Sequence, residues 1–185
     1  MGSYAFGSGN ANNVIDEYKD KLMSEICETL DEKRTPLINI CMNLTGDFNK
    51  ASVIRANNAF IAKEVWIVGK RKFDRRGTVG THHFEHVVFA EDLNGLPTLI
   101  DEGYTIFPVD NNPEYEPVPV FEVTLPEKTA FIYGEEMLGL SLEVIESCNG
   151  QALYIPQYGS VRSLNVAQAA AIMMYEYTRQ HLRGV

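Results

Sequence analysis

The spacing of apolar positions changes at Pro36. Over residues 14–30, Ile15, Leu22, Ile26 and Leu30, together with Tyr18 and Cys27, recur among charges at helical intervals, which predicts an amphipathic helix. Its apolar stripe must be covered, either by the domain that follows or by a partner. Beyond Pro36 the pattern becomes short, continuously apolar runs at 37–42, 65–68, 104–109, 130–133 and 152–155, each the length of a strand buried on both faces. Stretches with helical character separate them at 50–62, 91–102, 140–148 and 166–182. Buried strands alternating with helices predict an α/β fold with a mainly parallel sheet and helices on both faces. The stretch 110–119, DNNPEYEPVP, is rich in proline and acid and reads as an exposed loop. Residues 1–13, MGSYAFGSGNANN, are small, polar and glycine-rich and read as a disordered arm. The expected organisation is therefore an arm at 1–13, a helical extension at 14–34, and one α/β domain at 35–185, without internal repeats.

Composition narrows the class. At 185 residues and 45% hydrophobic side chains, the chain fits one domain with a core large enough to fold independently. Cys27, Cys41 and Cys148 are scattered, with no C-x-x-C pair, and read as reduced thiols, not as a disulfide framework or a zinc site. There is no apolar run of the roughly 18 residues a membrane helix needs, and no basic-then-apolar leader, so a cytoplasmic protein is expected. Sixteen basic against twenty-five acidic residues give a net charge of −9, which argues against a chain coated in nucleic acid and directs attention to local patches. The densest is KRKFDRR, in which Lys70, Arg71, Lys72, Arg75 and Arg76 surround Phe73 and lead on to His82 and His83. Such a run suits phosphate contact and base stacking, although a solvated surface loop has the same composition. His82, His83 and His86 have no acidic or cysteine partner at metal-ligand spacing, so no metal is expected.

Three segments carry candidate chemistry. In 43–69, NLTGDFNKASVIRANNAFIAKEVWIVG, a strand ends and Asn49 stands where a helix N-cap belongs. Arg55 is the only charge between Ala51 and Ala62. A guanidinium in so uncharged a run either reaches solvent along its aliphatic stem or meets an anion, because an unpaired buried charge is prohibitively costly. In 129–141, TAFIYGEEMLGLS, a buried strand runs into Gly134, two carboxylates and Gly139. Glycines just past a strand let backbone approach a ligand, but a plain strand-to-helix turn looks the same, and neither a P-loop nor G-x-G-x-x-G is present. In 152–180 a strand leads through Pro156, Gly159 and Ser163 to Asn165, which opens an alanine-rich helix. Ala167, Ala169, Ala170 and Ala171 permit close packing on two faces, while Ser163 or Asn165 can be simple caps.

In this order and spacing the three segments resemble the motifs of the SpoU (TrmH-like) RNA ribose 2'-O-methyltransferases of the SPOUT superfamily. The resemblance runs from about Pro36 to the C-terminus and is most specific in I-P-x-x-G-x-x-x-S-L-N-V-x-x-A-A-A-I-x-x-Y-E, from Ile155 to Glu176. The family's asparagine, followed six residues later by arginine, matches Asn49 and Arg55. The second motif departs from the usual G-N-E-G-x-G-L-S, with Glu135 for asparagine and Met137 for glycine, while Glu136, the outer glycines and Leu140-Ser141 match.

The resemblance implies a C-terminal deep trefoil knot, a two-fold homodimer that completes the site, and S-adenosylmethionine as cofactor. It implies cofactor contacts from Ile132, Tyr133, Gly134, Ile155, Gln157, Gly159, Ser163, Leu164 and Asn165, and catalytic or orienting roles for Arg55, Ser163, Asn165, Asn49 and Glu136. The substrate it implies is RNA, tRNA in preference to rRNA because minimal relatives more often modify tRNA. The RNA surface is expected at Lys70, Arg71, Lys72, Arg75, Arg76, His82 and His83, with the N-terminal helix as the other place RNA can meet the chain. A catalytically silent RNA-binding dimer is the rival reading: the second-motif changes favour it, and the retained Arg55, Ser163 and Asn165 oppose it.

Overall fold

A computed structural model describes residues 14–182 apart from 43, 45, 70, 71, 136 and 137. The arm, Lys70, Arg71 and Glu136 therefore lie outside the described residues. The chain order is α1 (Met23–Asp31), β1 (Thr35–Met42), α2 (Asp47–Ala59), β2 (Ala62–Val68), α3 (Arg75–Thr78), β3 (Val87–Ala90), α4 (Leu96–Asp101), β4 (Thr105–Val109), β5 (Val118–Pro119), β6 (Thr129–Tyr133), α5 (Leu142–Glu146), β7 (Leu153–Tyr154) and α6 (Val166–His181).

The seven strands form one sheet in the order β3-β2-β1-β6-β4-β7-β5, and the pairings between them are parallel. Two strands late in the chain are inserted between earlier ones, β6 between β1 and β4, and β7 between β4 and β5. Alternation sorts the side chains into two layers. Leu37, Cys41, Val65, Ile67, Phe131 and Tyr133 share a core with Val53 and Ile54 of α2 and Ala170, Met173, Met174 and Tyr177 of α6. Ile38, Ile40, Ile106, Ala130 and Ile132 meet Leu96 and Leu99 of α4 and Val144 of α5 on the other side. Both faces are covered, which is why the strands read as unbroken apolar runs.

The differences from expectation have local causes. The N-terminal segment begins as a short 3-10 turn at Asp16–Tyr18 and becomes α-helical only at Met23. It packs on the domain through Tyr18, Ile26, Leu30 and Phe84. Strand β3 is an edge strand of four residues with no side chain fully buried, so VVFA lacked the continuous apolar length of the others. The stretch 110–119 is more than an exposed loop, because its last residues form β5 on β7. No helix among the described residues is long and apolar enough to cross a membrane.

Candidate active site

A cavity of about 620 Å³ opens at the carboxyl ends of β4, β6 and β7. That is where open parallel sheets place ligands, because strands there splay into loops with free backbone groups. Three loops wall it, contributing Asp110, Asn111, Asn112 and Tyr115 from the first, Gly134, Glu135 and Leu138 from the second, and Ile155, Gln157, Arg162, Ser163 and Leu164 from the third.

The second loop is tight for a stated reason. A Cβ on Gly134 would stand 2.3 Å from the backbone carbon of Gly139, and Gly139 itself has φ +66°, so both positions require glycine. Glu135 and Gly139 bridge across this turn, with the Gly139 amide donating to the Glu135 carbonyl at 2.9 Å. The turn is thus closed by backbone, and Glu135 in place of the usual asparagine does not prevent it.

Asp110 fastens the walls together, and sequence reasoning missed it. Its Oδ2 accepts from the Leu140 amide at 3.0 Å and its Oδ1 from the Asn112 amide at 2.9 Å. Asn111 donates to the Arg162 carbonyl at 2.9 Å, and the Tyr115 hydroxyl donates to the Leu140 carbonyl at 3.1 Å. One acidic loop therefore holds both glycine-containing segments. The available signal was the position of Asp110, one residue past the end of a parallel strand.

Of the nine residues named for the cofactor, Tyr133, Gly134, Ile155, Gln157, Ser163 and Leu164 line the cavity. Ile132 is fully buried in the opposite core layer, because alternation turns its side chain away from Tyr133. Gly159 is exposed and outside the lining. Asn165 caps α6, its Oδ1 accepting from the Ala167 amide at 3.0 Å. It does more than cap, since its Nδ2 donates to Asn49 Oδ1 at 3.0 Å and so joins the third segment to the first.

Asn49 is not the N-cap of α2. Gly46 holds that position and Asn49 is the third helical residue, which leaves its amide oxygen to meet Asn165. Arg55 is exposed on the outer side of α2, opposite the buried Val53 and Ile54, and is absent from the cavity lining. Within one chain it reaches water, so the cavity and this arginine are not brought together by the single chain.

The basic segment lies against α2. Its Asp74 amide donates to the Asp47 carbonyl at 3.1 Å. Lys50, only 1% exposed, donates from Nζ to the Lys72 carbonyl at 2.7 Å and pairs with Asp47 at 3.1 Å. Lys72, Arg75 and Arg76 face solvent. Arg76 is drawn to Asp74 at 2.6 Å, which holds that carboxyl down to about 2. Phe73 turns inward onto Phe89 and His82, with centroids 6.3 and 5.8 Å away. His82 is partly buried with Nδ1 2.6 Å from Thr78 Oγ1, and His83 is exposed.

The cavity suits an adenosine-like molecule with a polar tail. Leu140, Ile155, Leu164 and Val166 give apolar walls, while Asn112, Glu135, Arg162 and Ser163 give polar ones. Gln157 Oε1 is buried with no protein partner among the described residues, an acceptor suited to an exocyclic amine.

Among proteins of known function the chain is similar to the tRNA (guanosine(18)-2'-O)-methyltransferase of Aquifex aeolicus, 28% identical over 169 residues that cover 87% of this chain and 77% of that one. It is 26% identical to the tRNA (guanosine(18)-2'-O)-methyltransferase of Escherichia coli K12, covering 85% of this chain and 69% of that one. Among solved structures, the A. aeolicus TrmH/SpoU tRNA modifying enzyme superposes with a TM-score of 0.77 at 25% identity, over 86% of this chain and 82% of that one. Residues 36–175 match the SpoU rRNA Methylase family, and the chain belongs to that family.

Proposed function

We propose that this protein transfers a methyl group from S-adenosylmethionine to a ribose 2'-hydroxyl of tRNA in the cytoplasm, as a homodimer. The observation that supports it best is the Asn165–Asn49 hydrogen bond, which ties the rim of a cofactor-sized cavity to the helix that bears Arg55. The bound cofactor supplies a sulfonium methyl, an electrophile that needs no metal.

The protein's own groups supply the rest. Leu140, Ile155, Leu164 and Val166 exclude water around the base, and the buried oxygen of Gln157 faces its amine. Ser163, exposed and on the cavity lining, orients the ribose hydroxyl. A guanidinium offers donors and no acceptor, so Arg55 does not take the hydroxyl proton, which passes to solvent at the exposed Ser163 end of the site as the oxygen attacks. It binds the adjacent phosphate and stabilises negative charge as it develops on the ribose oxygen, for which a planar fork is well shaped.

Because Arg55 is exposed outside the cavity, it serves the site of a partner. The face that carries it also exposes Phe48 and Ala59 of α2 and Ile172 and Tyr175 of α6, an apolar surface fit for an isologous contact. Lys72, Arg75 and Arg76 lie at the amino end of α2 and supply phosphate contacts.

The test is incubation with labelled S-adenosylmethionine and total tRNA or rRNA, followed by mapping of the 2'-O-methyl position. Label in tRNA is the expected result, and label confined to rRNA would move the substrate but not the chemistry. Cofactor binding without transfer to either RNA would favour a silent RNA-binding dimer.

A further inference from the structure

A buried polar assembly lies beyond the cavity and reaches it only through Tyr133. Its centre is Glu85, whose side chain is 0% exposed. Glu85 Oε2 accepts from Asn57 Nδ2 at 2.6 Å, and Oε1 accepts from Asn58 Nδ2 at 2.8 Å. Arg34, 5% exposed, adds its guanidinium at 3.2 to 3.3 Å and also donates to the Ala62 carbonyl at 2.9 Å. Asn57 Oδ1 then accepts from Asn39 Nδ2 at 2.9 Å, and Asn39 Oδ1 accepts from the Tyr133 hydroxyl at 3.1 Å.

The chain of bonds thus runs from the segment after α1, through the carboxyl-terminal turns of α2, across β1, to the last residue of β6. Tyr133 also lines the cofactor cavity.

Apolar side chains would cover these positions at lower cost, since a buried ion pair usually does little better than a hydrophobic replacement. What a saturated polar network adds is a single allowed geometry, because each amide and carboxyl oxygen must meet its own partner. Asn57 and Asn58 follow Arg55 by two and three residues on the same helix. Any rotation or slide of α2 that moved Arg55 would break bonds to Glu85. At its other end the helix is held by Lys50 and by Asn49 on Asn165.

We propose that Glu85 is a positioning residue for methyl transfer, acting with Arg34 through Asn57 and Asn58 to fix α2 so that Arg55 meets the reacting ribose. The N-terminal extension then serves catalysis by way of Arg34, not by way of RNA contact. The proposal rests on the reading of Arg55 as a stabiliser of the transition state.

The experiment is a kinetic double-mutant cycle on the full chain. Removing both charges together in Arg34→Met/Glu85→Gln leaves no unpaired ion in the core, so the fold is retained while the fixed geometry is lost. Asn58→Ala, at a half-buried position, is a milder second variant should the double one unfold. Turnover at saturating RNA should fall on the order of tenfold, the scale of a small misplacement of a catalytic group, with S-adenosylmethionine affinity and RNA affinity unchanged. In an Arg55→Ala background the same changes should have no further effect on turnover.

Losses that simply multiply in that background, or normal turnover in folded Arg34→Met/Glu85→Gln and Asn58→Ala proteins, would overturn the positioning role. Normal turnover in Arg55→Ala alone would instead overturn the reading of Arg55, and the two failures are thereby distinguished.

Discussion

Around the cavity, parts of one chain close on each other: Asp110 reaches Leu140, Asn111 reaches the Arg162 carbonyl, and Tyr115 reaches Leu140. On the outer face of α2, polar and apolar groups are prepared but left open, with Arg55, Phe48, Ile172 and Tyr175 exposed. The third motif contributes to both regions, the second only to the cavity and the first only to the outer face. On the reading proposed above, one chain encloses the cofactor, while the outer face meets a second copy and delivers Arg55 to that copy's cavity. Cofactor binding and transfer should accordingly be separable by mutation.

The strongest test of that separation is Arg55. Arg55→Ala should lower single-turnover methylation by about a hundredfold or more, the scale of losing one electrostatic stabiliser of a transition state. Calorimetry should find S-adenosylmethionine affinity unchanged. Arg55→Lys keeps the charge without the fork and should recover little. Turnover near normal in Arg55→Ala would remove the functional contrast between the two regions.

Gly134 makes the converse case. A methyl group there collides with Gly139 backbone at 2.3 Å, so Gly134→Ala must open the turn that floors the cavity. Cofactor affinity should fall on the order of tenfold or more, as overpacking against backbone distorts a site, with RNA affinity retained. Mixing this variant with Arg55→Ala should restore turnover to roughly a quarter of the wild-type level if sites are shared across a two-fold dimer, because half the dimers then hold one intact site. Sedimentation should show dimers at micromolar concentration, and a mixture with no recovered activity would place Arg55 and the cavity in the same chain's site.

The basic segment should give a smaller effect. Arg75 faces solvent, while Arg76 is held on Asp74. Arg75→Ala should weaken RNA binding several-fold and reduce the salt slope by about 1, as loss of one phosphate contact does. Arg76→Ala should do less, and its deficit should grow in an Asp74→Ala background, where the guanidinium is released to the phosphates. An unchanged salt slope in both would move the RNA surface to another face, such as the N-terminal helix.

How much of this was legible in the sequence depends on how local the signal is. The strands β1, β2, β4 and β6 were visible because double-sided burial leaves an unbroken apolar string, while β3 and β5 were not, being short edge strands with little apolar length. Gly134, Ile155 and Ser163 were visible because they sit in contiguous motifs. Asp110 was hidden in a stretch whose proline and acid content reads as loop, and its role arises only when β4 is set between β6 and β7. Glu85 was hidden for a related reason, since nothing in FEHVVF shows that its carboxylate will be enclosed by Arg34, Asn57 and Asn58. Residue type reads Asn49 as a cap and the family motif gives it an orienting role, while its partner Asn165 lies too far along the chain to be read from either.

The smallest expected effect concerns His82, which decides whether the segment behind Arg75 is held by a neutral or a charged ring. Thr78 Oγ1 donates to the Arg75 carbonyl at 2.8 Å, so its contact with His82 Nδ1 at 2.6 Å uses the hydroxyl oxygen as acceptor and places the ring proton on Nδ1. Nε2 is then the bare nitrogen, and it is buried with no partner among the described residues. A proton there would be enclosed without an acceptor, and burial, followed by the neighbouring charges of His83 and Arg75, pushes the imidazole below its ordinary value. With the folded value depressed, the unfolded chain binds more protons in that window, so stability is full above the ordinary imidazole range and declines as pH falls through the depressed one. Thermal unfolding between pH 7.5 and 5 should show a shallow loss that His82→Asn flattens, since the amide still donates to Thr78 but does not titrate. RNA binding by the variant at pH 7.5 should match the wild type, because a neutral, inward ring contributes no charge to the phosphates. Weakened binding at that pH, with the acid slope intact, would show that His82 belongs to the open RNA face and not to the packing beneath it.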